Sequence, residues 1–131
     1  CAALVTPNLD EAEILVGRKL SSVNELFAAA DEIHRRFGCA ALVKGGHLRG
    51  SRDAVDVFYD GDEMLALGAP FVRGVSTHGT GCTYSAAITA HLALGRSLRD
   101  AVQWSKGFIT SAIRHSLRAG KHTVLNPLFE R

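Results

Sequence analysis

The segment STHGTGCTYSAA, residues 76–87, places two glycines one residue apart where a loop turns into an apolar helix. Glycine there permits unusual backbone conformations and lets a ligand approach the chain closely. The first amides of a helix have no partner within it, and the helix dipole adds positive charge, so this turn suits phosphate. Cys82 lies in the same turn, where a helix N-terminus favours the thiolate. The segment indicates phosphoryl transfer; for Gly79 and Gly81 alone, a structural helix start with a buried cysteine remains open.

Three other segments accompany this loop: VTPNLDEAE (residues 5–13), LVKGGHL (residues 42–48) and DVFYDG (residues 56–61). Together with THGTGCT (residues 77–83), they resemble, in the same order, the hydroxymethylpyrimidine/phosphomethylpyrimidine kinases of thiamin biosynthesis, which belong to the ribokinase-like superfamily. The resemblance runs from near residue 4 to about residue 117. It implies a three-layer α/β/α sandwich with a mostly parallel central sheet and an antiparallel hairpin, of which only the C-terminal part is present.

The resemblance also implies an activity. Members of the resembled family move the γ-phosphoryl group of ATP, with Mg²⁺, to 4-amino-5-hydroxymethyl-2-methylpyrimidine and then to its monophosphate. It further implies a cytoplasmic homodimer for the full-length protein. Two other functions stay open: a pyridoxal kinase of the same subgroup, which shares the cysteine-bearing loop, and a truncated, non-catalytic nucleotide-binding module.

Composition and charge are consistent with part of a soluble enzyme. The chain has 131 residues, 47% of them hydrophobic, and a formal net charge of +2, which gives no reason to expect nucleic acid as a partner. We find no apolar run long enough to span a bilayer and no signal peptide. Cys1, Cys39 and Cys82 are odd in number and widely spaced, which favours a reducing compartment over a disulfide scaffold.

The first residues read directly as an apolar strand, residues 1–5, with no polar lead-in. A buried parallel strand needs neighbours on both sides, and every matching segment belongs to the C-terminal half of the resembled family. We therefore interpret residues 1–131 as the nucleotide-binding and catalytic part of one domain whose N-terminal half is absent. The chain is then either a fragment of a larger protein or one piece of a divided one, and the missing half is its expected partner. Alone, the chain is expected to be inactive and either poorly soluble or self-associating.

An α/β alternation follows along the chain. Asn8 with Glu11, and Ser22 with Glu25, have the spacing of capping boxes that begin helices, and Gly38 is placed to end the second helix. The remaining elements are predicted from apolar spacing and turn residues. They are a buried strand at 39–43, a hairpin of 54–59 and 63–68, a helix at about 80–94, a last helix after Ser97, and an irregular tail at 118–131.

Two residues are candidates for the metal site. On spacing alone, Asn8 and Glu11 are a helix cap and its partner. By resemblance, Asn-x-x-Glu at this place helps to hold Mg²⁺ and its waters near the phosphates. Both roles can coexist, because the cap follows a parallel strand, at the edge of the sheet where ligands bind. Glu11 would act through water, since Mg²⁺ dehydrates reluctantly.

Three charged residues are nucleotide candidates by resemblance. Lys44 would lie near the triphosphate, and Asp56 and Lys106 would lie on the nucleotide side. From the residues alone, Lys44 and Lys106 read as solvated lysines and Asp56 as a surface strand residue.

Cys82 is the candidate base. Most ribokinase-like enzymes have Gly-x-Gly-Asp, whose carboxylate takes the proton of the attacking hydroxyl, and Cys82 stands in the place of that aspartate. The resemblance therefore assigns the base to its thiolate, while the amides of Gly79, Thr80, Gly81 and Cys82 bind the charge on the phosphoryl oxygens. His78 and Cys82 have a spacing seen in some metal sites, but two ligands do not make a zinc site. Trp104 is interpreted as a packing residue.

Overall fold

The chain folds into two compact units, Cys1–Phe71 and Val72–Arg131. Our computed structural model describes residues 2–46, 48, 53–72 and 79–129. No helix among these residues is both long and apolar enough to cross a membrane.

The two helices of the first unit begin at the predicted caps, and the second ends at the predicted glycine. α1 (Leu9–Val16) and α2 (Val23–Phe37) each start with a complete capping box, from Asn8 and Ser22 respectively. Each ends at a glycine in the left-handed conformation, Gly17 with φ 70° and Gly38 with φ 64°. These signals satisfy the unpaired amides and carbonyls at the helix ends within a few residues of sequence, so the prediction is confirmed.

The sheet of the first unit has four strands in the order β1-β2-β3-β4. β1 (Leu4–Val5) pairs with β2 (Ala40–Lys44) in parallel, whereas β2 with β3 (Asp53–Tyr59) and β3 with β4 (Met64–Pro70) are antiparallel. The described sheet is therefore mixed, and the hairpin predicted around Asp60 and Gly61 is confirmed.

β1 differs from the buried five-residue strand expected at 1–5. It has two residues, both half-buried, and Ala2 and Ala3 before it are exposed. Within the described residues β1 pairs only with β2, so its apolar residues lack the second neighbour that would bury them. Cys1 lies outside the described residues.

The core of the first unit lies between α2 and the sheet. Leu26 and Ile33 on α2 cluster with Val43 of β2 and Val57 of β3, and all four are at most 1% exposed. Gly45, directly after β2, is required by close packing: a Cβ there would lie 2.6 Å from Leu26 Cδ1 and would also clash with the Val55 carbonyl. The end of β2, which carries Lys44, is thus packed tightly against β3 and α2.

The second unit consists of α3 (Thr80–Ala93) packed against α4 (Leu98–Arg114), followed by a hairpin. Ser97 caps α4 by accepting from the Asp100 amide, as predicted. The prediction of an irregular tail after residue 117 is wrong, because β5 (Leu117–Ala119) and β6 (His122–Val124) pair antiparallel. Both strands are mostly exposed and lack an apolar alternation, and Gly120, with φ 62°, makes the turn.

Candidate active site

α3 begins differently from the other three described helices. Its N-cap is Gly79, with φ 82° and ψ −9°, and no side chain caps its amides. Asn8, Ser22 and Ser97 cap α1, α2 and α4. The first intrahelical bond of α3 is donated by the Thr83 amide to the Gly79 carbonyl at 2.9 Å. The amides of Thr80, Gly81 and Cys82 precede that bond and therefore remain for a ligand.

The conformational demand in this turn falls on Gly79 rather than on Gly81. Gly79 is in the left-handed region, while Gly81 is the second residue of α3 and does not have a positive φ. Cys82, the third helical residue, is exposed and free. Thr80 Oγ1 is buried and has no hydrogen-bond partner among the described residues. Residues 73–78, including His78 of the zinc alternative, lie outside the described part of the chain.

Lys106 also lies in the second unit, on α4. It is only 8% exposed and belongs to the buried face of the helix that packs against α3. A solvated lysine, the interpretation from the residues alone, is therefore wrong. Lysine is rarely buried unless its charge is compensated. The burial of Lys106 is therefore consistent with a role in binding the charged nucleotide.

The first unit brings the other four candidates together at one end of the sheet. Asn8 forms a parallel bridge with Lys44, whose amide donates to the Pro7 carbonyl at 2.9 Å. Lys44 lies opposite Asp56 in the β2–β3 register. Glu11 is joined to Asn8 by the capping box, in which the Asn8 amide donates to Glu11 Oε2 at 2.7 Å.

Burial separates these four residues. Asp56 is only 4% exposed, which contradicts the interpretation as a surface strand residue, whereas Lys44 is half-buried and Asn8 and Glu11 are exposed. Glu11 also borders a groove of about 430 Å³, lined by Val5, Thr6, Pro7, Glu11, Ile14 and Leu15. A buried carboxylate opposite a lysine, next to an exposed carboxylate, is an arrangement that can hold cations and phosphates.

The donor set can be compared with that of a magnesium site. No group of three or more His, Cys, Asp or Glu side chains placed to hold a metal occurs among the described residues. Mg²⁺ ordinarily keeps several waters and takes only one or two protein carboxylates together with substrate phosphates. The exposed Glu11 carboxylate and the Asn8 amide oxygen fit that pattern, and they do not fit a zinc site built entirely from side chains.

An aromatic groove on α4 is not evident from the sequence analysis. It has a volume of about 580 Å³ and is lined by Gln103, Trp104, Gly107, Phe108, Ser111, His115 and Phe129. Trp104 is 52% exposed and has the Arg96 guanidinium 4.8 Å from its ring centroid, so it is not simply a packing residue. The sequence signal that could have predicted this groove is the helical spacing of its lining residues. Trp104, Phe108, Ser111 and His115 share one side of α4, away from the buried face of that helix.

Comparison with known proteins decides the family. The family model described as phosphomethylpyrimidine kinase matches residues 1–126 of the chain. The chain belongs to the phosphomethylpyrimidine kinase family. A curated relative, the hydroxymethylpyrimidine/phosphomethylpyrimidine kinase of Aquifex aeolicus, is 41% identical over 118 residues, which are 90% of this chain and 46% of that protein. The chain thus spans about half the length of the curated relatives it matches.

Solved structures of this family's neighbours have the same ribokinase-like fold. The Staphylococcus aureus pyridoxal kinase in complex with AMP-PCP and pyridoxal has a TM-score of 0.89 and 34% identity, covering 96% of this chain and 48% of that one. The Bacillus subtilis pyridoxal kinase in an ADP complex has a TM-score of 0.87 and 38% identity, covering 95% of this chain and 47% of that one. These matches confirm the predicted α/β fold class. They also show that this member of the phosphomethylpyrimidine kinase family is a partial domain, since it spans about half of each solved chain.

Proposed function

We propose that this chain is the nucleotide-binding and catalytic half of an ATP-dependent kinase. Its acceptors are 4-amino-5-hydroxymethyl-2-methylpyrimidine and the corresponding monophosphate, in thiamin biosynthesis. The observation that carries the proposal is the start of α3, where an uncapped helix on left-handed Gly79 exposes Cys82 in a member of the phosphomethylpyrimidine kinase family.

The residues of the second unit have distinct tasks in this proposal. The amides of Thr80, Gly81 and Cys82 bind the oxygens of the transferred phosphoryl group and stabilise the charge that develops on them. The Cys82 thiolate takes the proton from the attacking hydroxymethyl group as that oxygen bonds to phosphorus and the bond to ADP breaks. Lys106 offsets negative charge on the nucleotide from the buried face of α4.

The residues of the first unit position the phosphates and the metal. The Glu11 carboxylate, oriented by Asn8, accepts hydrogen bonds from the waters of Mg²⁺, which when bound neutralises charge on the nucleotide phosphates. Lys44 lies at the end of β2 and compensates charge on the triphosphate. Asp56, buried opposite Lys44 in the register of β2 and β3, acts on the nucleotide side of the same site.

A pyridoxal kinase is the second candidate, and specific relatives favour it. The Bacillus subtilis pyridoxine kinase is 40% identical over 116 residues, which are 88% of this chain and 43% of that protein. This identity is close to that of the Aquifex relative, so identity over the shared half does not separate the two acceptors. We assign the choice to residues of the other half and favour the pyrimidine because of the family match.

The full-length protein is further proposed to be a cytoplasmic homodimer. Cys39 and Cys82 are both free thiols, and Cys82 is exposed, which fits a reducing compartment.

The decisive experiment compares both acceptors in a full-length kinase that carries this chain as its C-terminal half. We expect ADP release with ATP and hydroxymethylpyrimidine, a second turnover on the monophosphate, and slower turnover of pyridoxal. Faster turnover of pyridoxal would replace the pyrimidine assignment with the second candidate. If calorimetry detected no binding of AMP-PCP with Mg²⁺, the proposed kinase would be refuted. The same result would refute the remaining alternative, a non-catalytic nucleotide-binding module.

A further inference from the structure

Formal charge is divided unequally between the two units. The second unit (Val72–Arg131) has eight Lys and Arg but only two Asp and Glu, whereas the first (Cys1–Phe71) has seven and eleven. The formal net charge of +2 for the whole chain therefore divides into +6 for the second unit and −4 for the first. Such an asymmetry indicates that the second unit attracts anionic ligands.

Three cations of the second unit are exposed at the end of α4 and on the hairpin that follows it. They are Arg114, Arg118 and Lys121, and the sequence has no acidic residue between Asp100 and Glu130. Arg114 and Lys121 form no ion pair or hydrogen bond in the part of the chain that the structure describes. Arg118 Nε donates one long bond, of 3.4 Å, to a backbone carbonyl of the turn. The positive charge of this surface therefore extends into solvent.

The packing of α3 and α4 brings this end of α4 to the level of the candidate phosphate-binding amides. Only residues 94–97 join the two helices, and the His91 ring near the end of α3 lies 6.4 Å from the Trp104 ring near the start of α4. From that contact, Thr80 lies about 16 Å back along α3 and Arg114 about 15 Å forward along α4, at a rise of about 1.5 Å per residue. The helices are therefore antiparallel, and the start of α3 lies beside the end of α4.

The hairpin stays at the same end of α4. β5 begins at Leu117, and after β6 the Asn126 amide donates to the Ala112 carbonyl of α4 at 3.3 Å. Because both ends of the hairpin are held there, Arg118 and Lys121 extend the positive surface that begins on α4.

We propose that Arg114, Arg118 and Lys121 steer the nucleotide toward the amides at the start of α3. The inference rests on the proposed kinase function, because it takes ATP as the ligand. ATP with Mg²⁺ remains an anion, and an unneutralised patch of cations raises the rate at which an anionic ligand meets its site. The three residues lie outside the first turn of α3, so they act on the approach of the nucleotide and not on the chemical step. Their loss should lower the association rate constant and leave the dissociation rate constant unchanged.

Stopped-flow binding of a fluorescent, non-hydrolysable ATP analogue with Mg²⁺ measures both rate constants in the full-length kinase. In the double variant Arg114→Gln, Lys121→Gln we expect association to be slower by about threefold or more at about 0.1 M salt, where the Debye length is about 10 Å. The difference should disappear near 1 M salt, where that length is about 3 Å. Turnover at saturating ATP should equal that of the parent kinase.

Two control variants separate charge and position from other effects. Arg114→Lys with Lys121→Arg keeps both charges and should associate at the parent rate. Arg96→Gln with Arg99→Gln removes the same charge from exposed residues at the opposite end of α4 and should slow association less. An unchanged association rate in the double glutamine variant, or a change confined to dissociation, would refute steering and leave the kinase proposal intact. A parent kinase that does not bind the analogue would refute the kinase proposal and steering together.

Discussion

Asn8 and Glu11 hold each other at the start of α1: the Asn8 amide donates to Glu11 Oε2 at 2.7 Å, and the Glu11 amide donates to Asn8 Oδ1 at 2.8 Å. Ser22 and Glu25 repeat the arrangement at α2, where the Ser22 amide donates to Glu25 Oε2 at 2.9 Å. Only the first box adjoins the end of β2, through the bridge between Asn8 and Lys44. The chain therefore offers one capping box at the candidate site and a second one away from it.

Replacing Glu11 by glutamine should separate the cap from the metal role. Glutamine still accepts the amide hydrogen bond of a capping box but has no charge. In the full-length kinase we expect the Mg²⁺ concentration for half-maximal rate to rise about tenfold or more, as for other residues that orient metal-bound groups. Thermal stability should change little. Glu25→Gln is the matched control, and a similar Mg²⁺ dependence in both variants would leave Glu11 as a cap alone.

Cys82→Ala should lower the turnover number by about 10²-fold or more, since it removes the proposed general base. Nucleotide affinity should stay nearly unchanged because the backbone amides remain. Cys82→Asp should keep part of the activity. Steady-state kinetics and calorimetry on the full-length kinase measure both quantities, with Cys39→Ala as the control at a buried thiol. Near-normal turnover in Cys82→Ala would show that this thiol is not the general base.

Gly79→Ala should weaken nucleotide binding, because alanine disfavours the left-handed conformation that turns the α3 amides toward the phosphate. The strain costs about 1–2 kcal/mol. Gly95, near the other end of α3, has a similar φ of 80°, and neither glycine has an atom within 4 Å of a built Cβ. Gly95→Ala should therefore lose similar stability without losing affinity for AMP-PCP. Equal affinities in the two variants would contradict a phosphate cradle at Gly79.

Ser105→Ala should raise the free energy of unfolding by about 1 kcal/mol, because it removes a buried hydroxyl whose desolvation is uncompensated. Ser105 is fully buried, and its Oγ has no hydrogen-bond partner among the described residues. Ser97→Ala, in the same helix, should lower that free energy by about 1 kcal/mol through loss of the cap. Urea unfolding followed by circular dichroism gives both values, and destabilisation by Ser105→Ala would reveal a bond that the hydroxyl makes.

Acid should weaken the start of α2 through Glu25. Hydrogen bonds from the Ser21 amide and from the Ser21 and Ser22 hydroxyls hold the pKa of the Glu25 carboxyl below its ordinary value of 4.5. A carboxyl with a lowered pKa in the folded state stabilises the fold above its ordinary pKa, and this stabilisation is lost as the pH falls through the lowered value. As the pH is lowered from 6 to below the pKa of Glu25, the unfolding temperature should therefore fall less in Glu25→Gln than in the parent chain. Parallel declines in the two proteins would argue against this linkage.

Local signals determined much of this protein without tertiary contacts. The capping boxes at Asn8 and Ser22, the left-handed glycines at 17 and 38, and the turn in which Asp60 Oδ1 accepts from the Asp62 and Glu63 amides act over four residues or fewer. Such bonds form wherever the residues are adjacent, so their spacing predicts them. The order of the motifs likewise predicted the family.

The tertiary structure decided burial and the elements that have no local signature. Asp56 and Lys106 have the spacing of surface residues, and only packing of their strand and helix makes them buried. β5 and β6 are exposed strands without alternating apolar residues, so the turn at Gly120 is the local feature that accompanies their pairing, and it is too common in loops to predict strands by itself. Gly79 and Gly81 are indistinguishable in the motif, and the helix boundary alone selects Gly79 for the left-handed conformation, because α3 begins at Thr80.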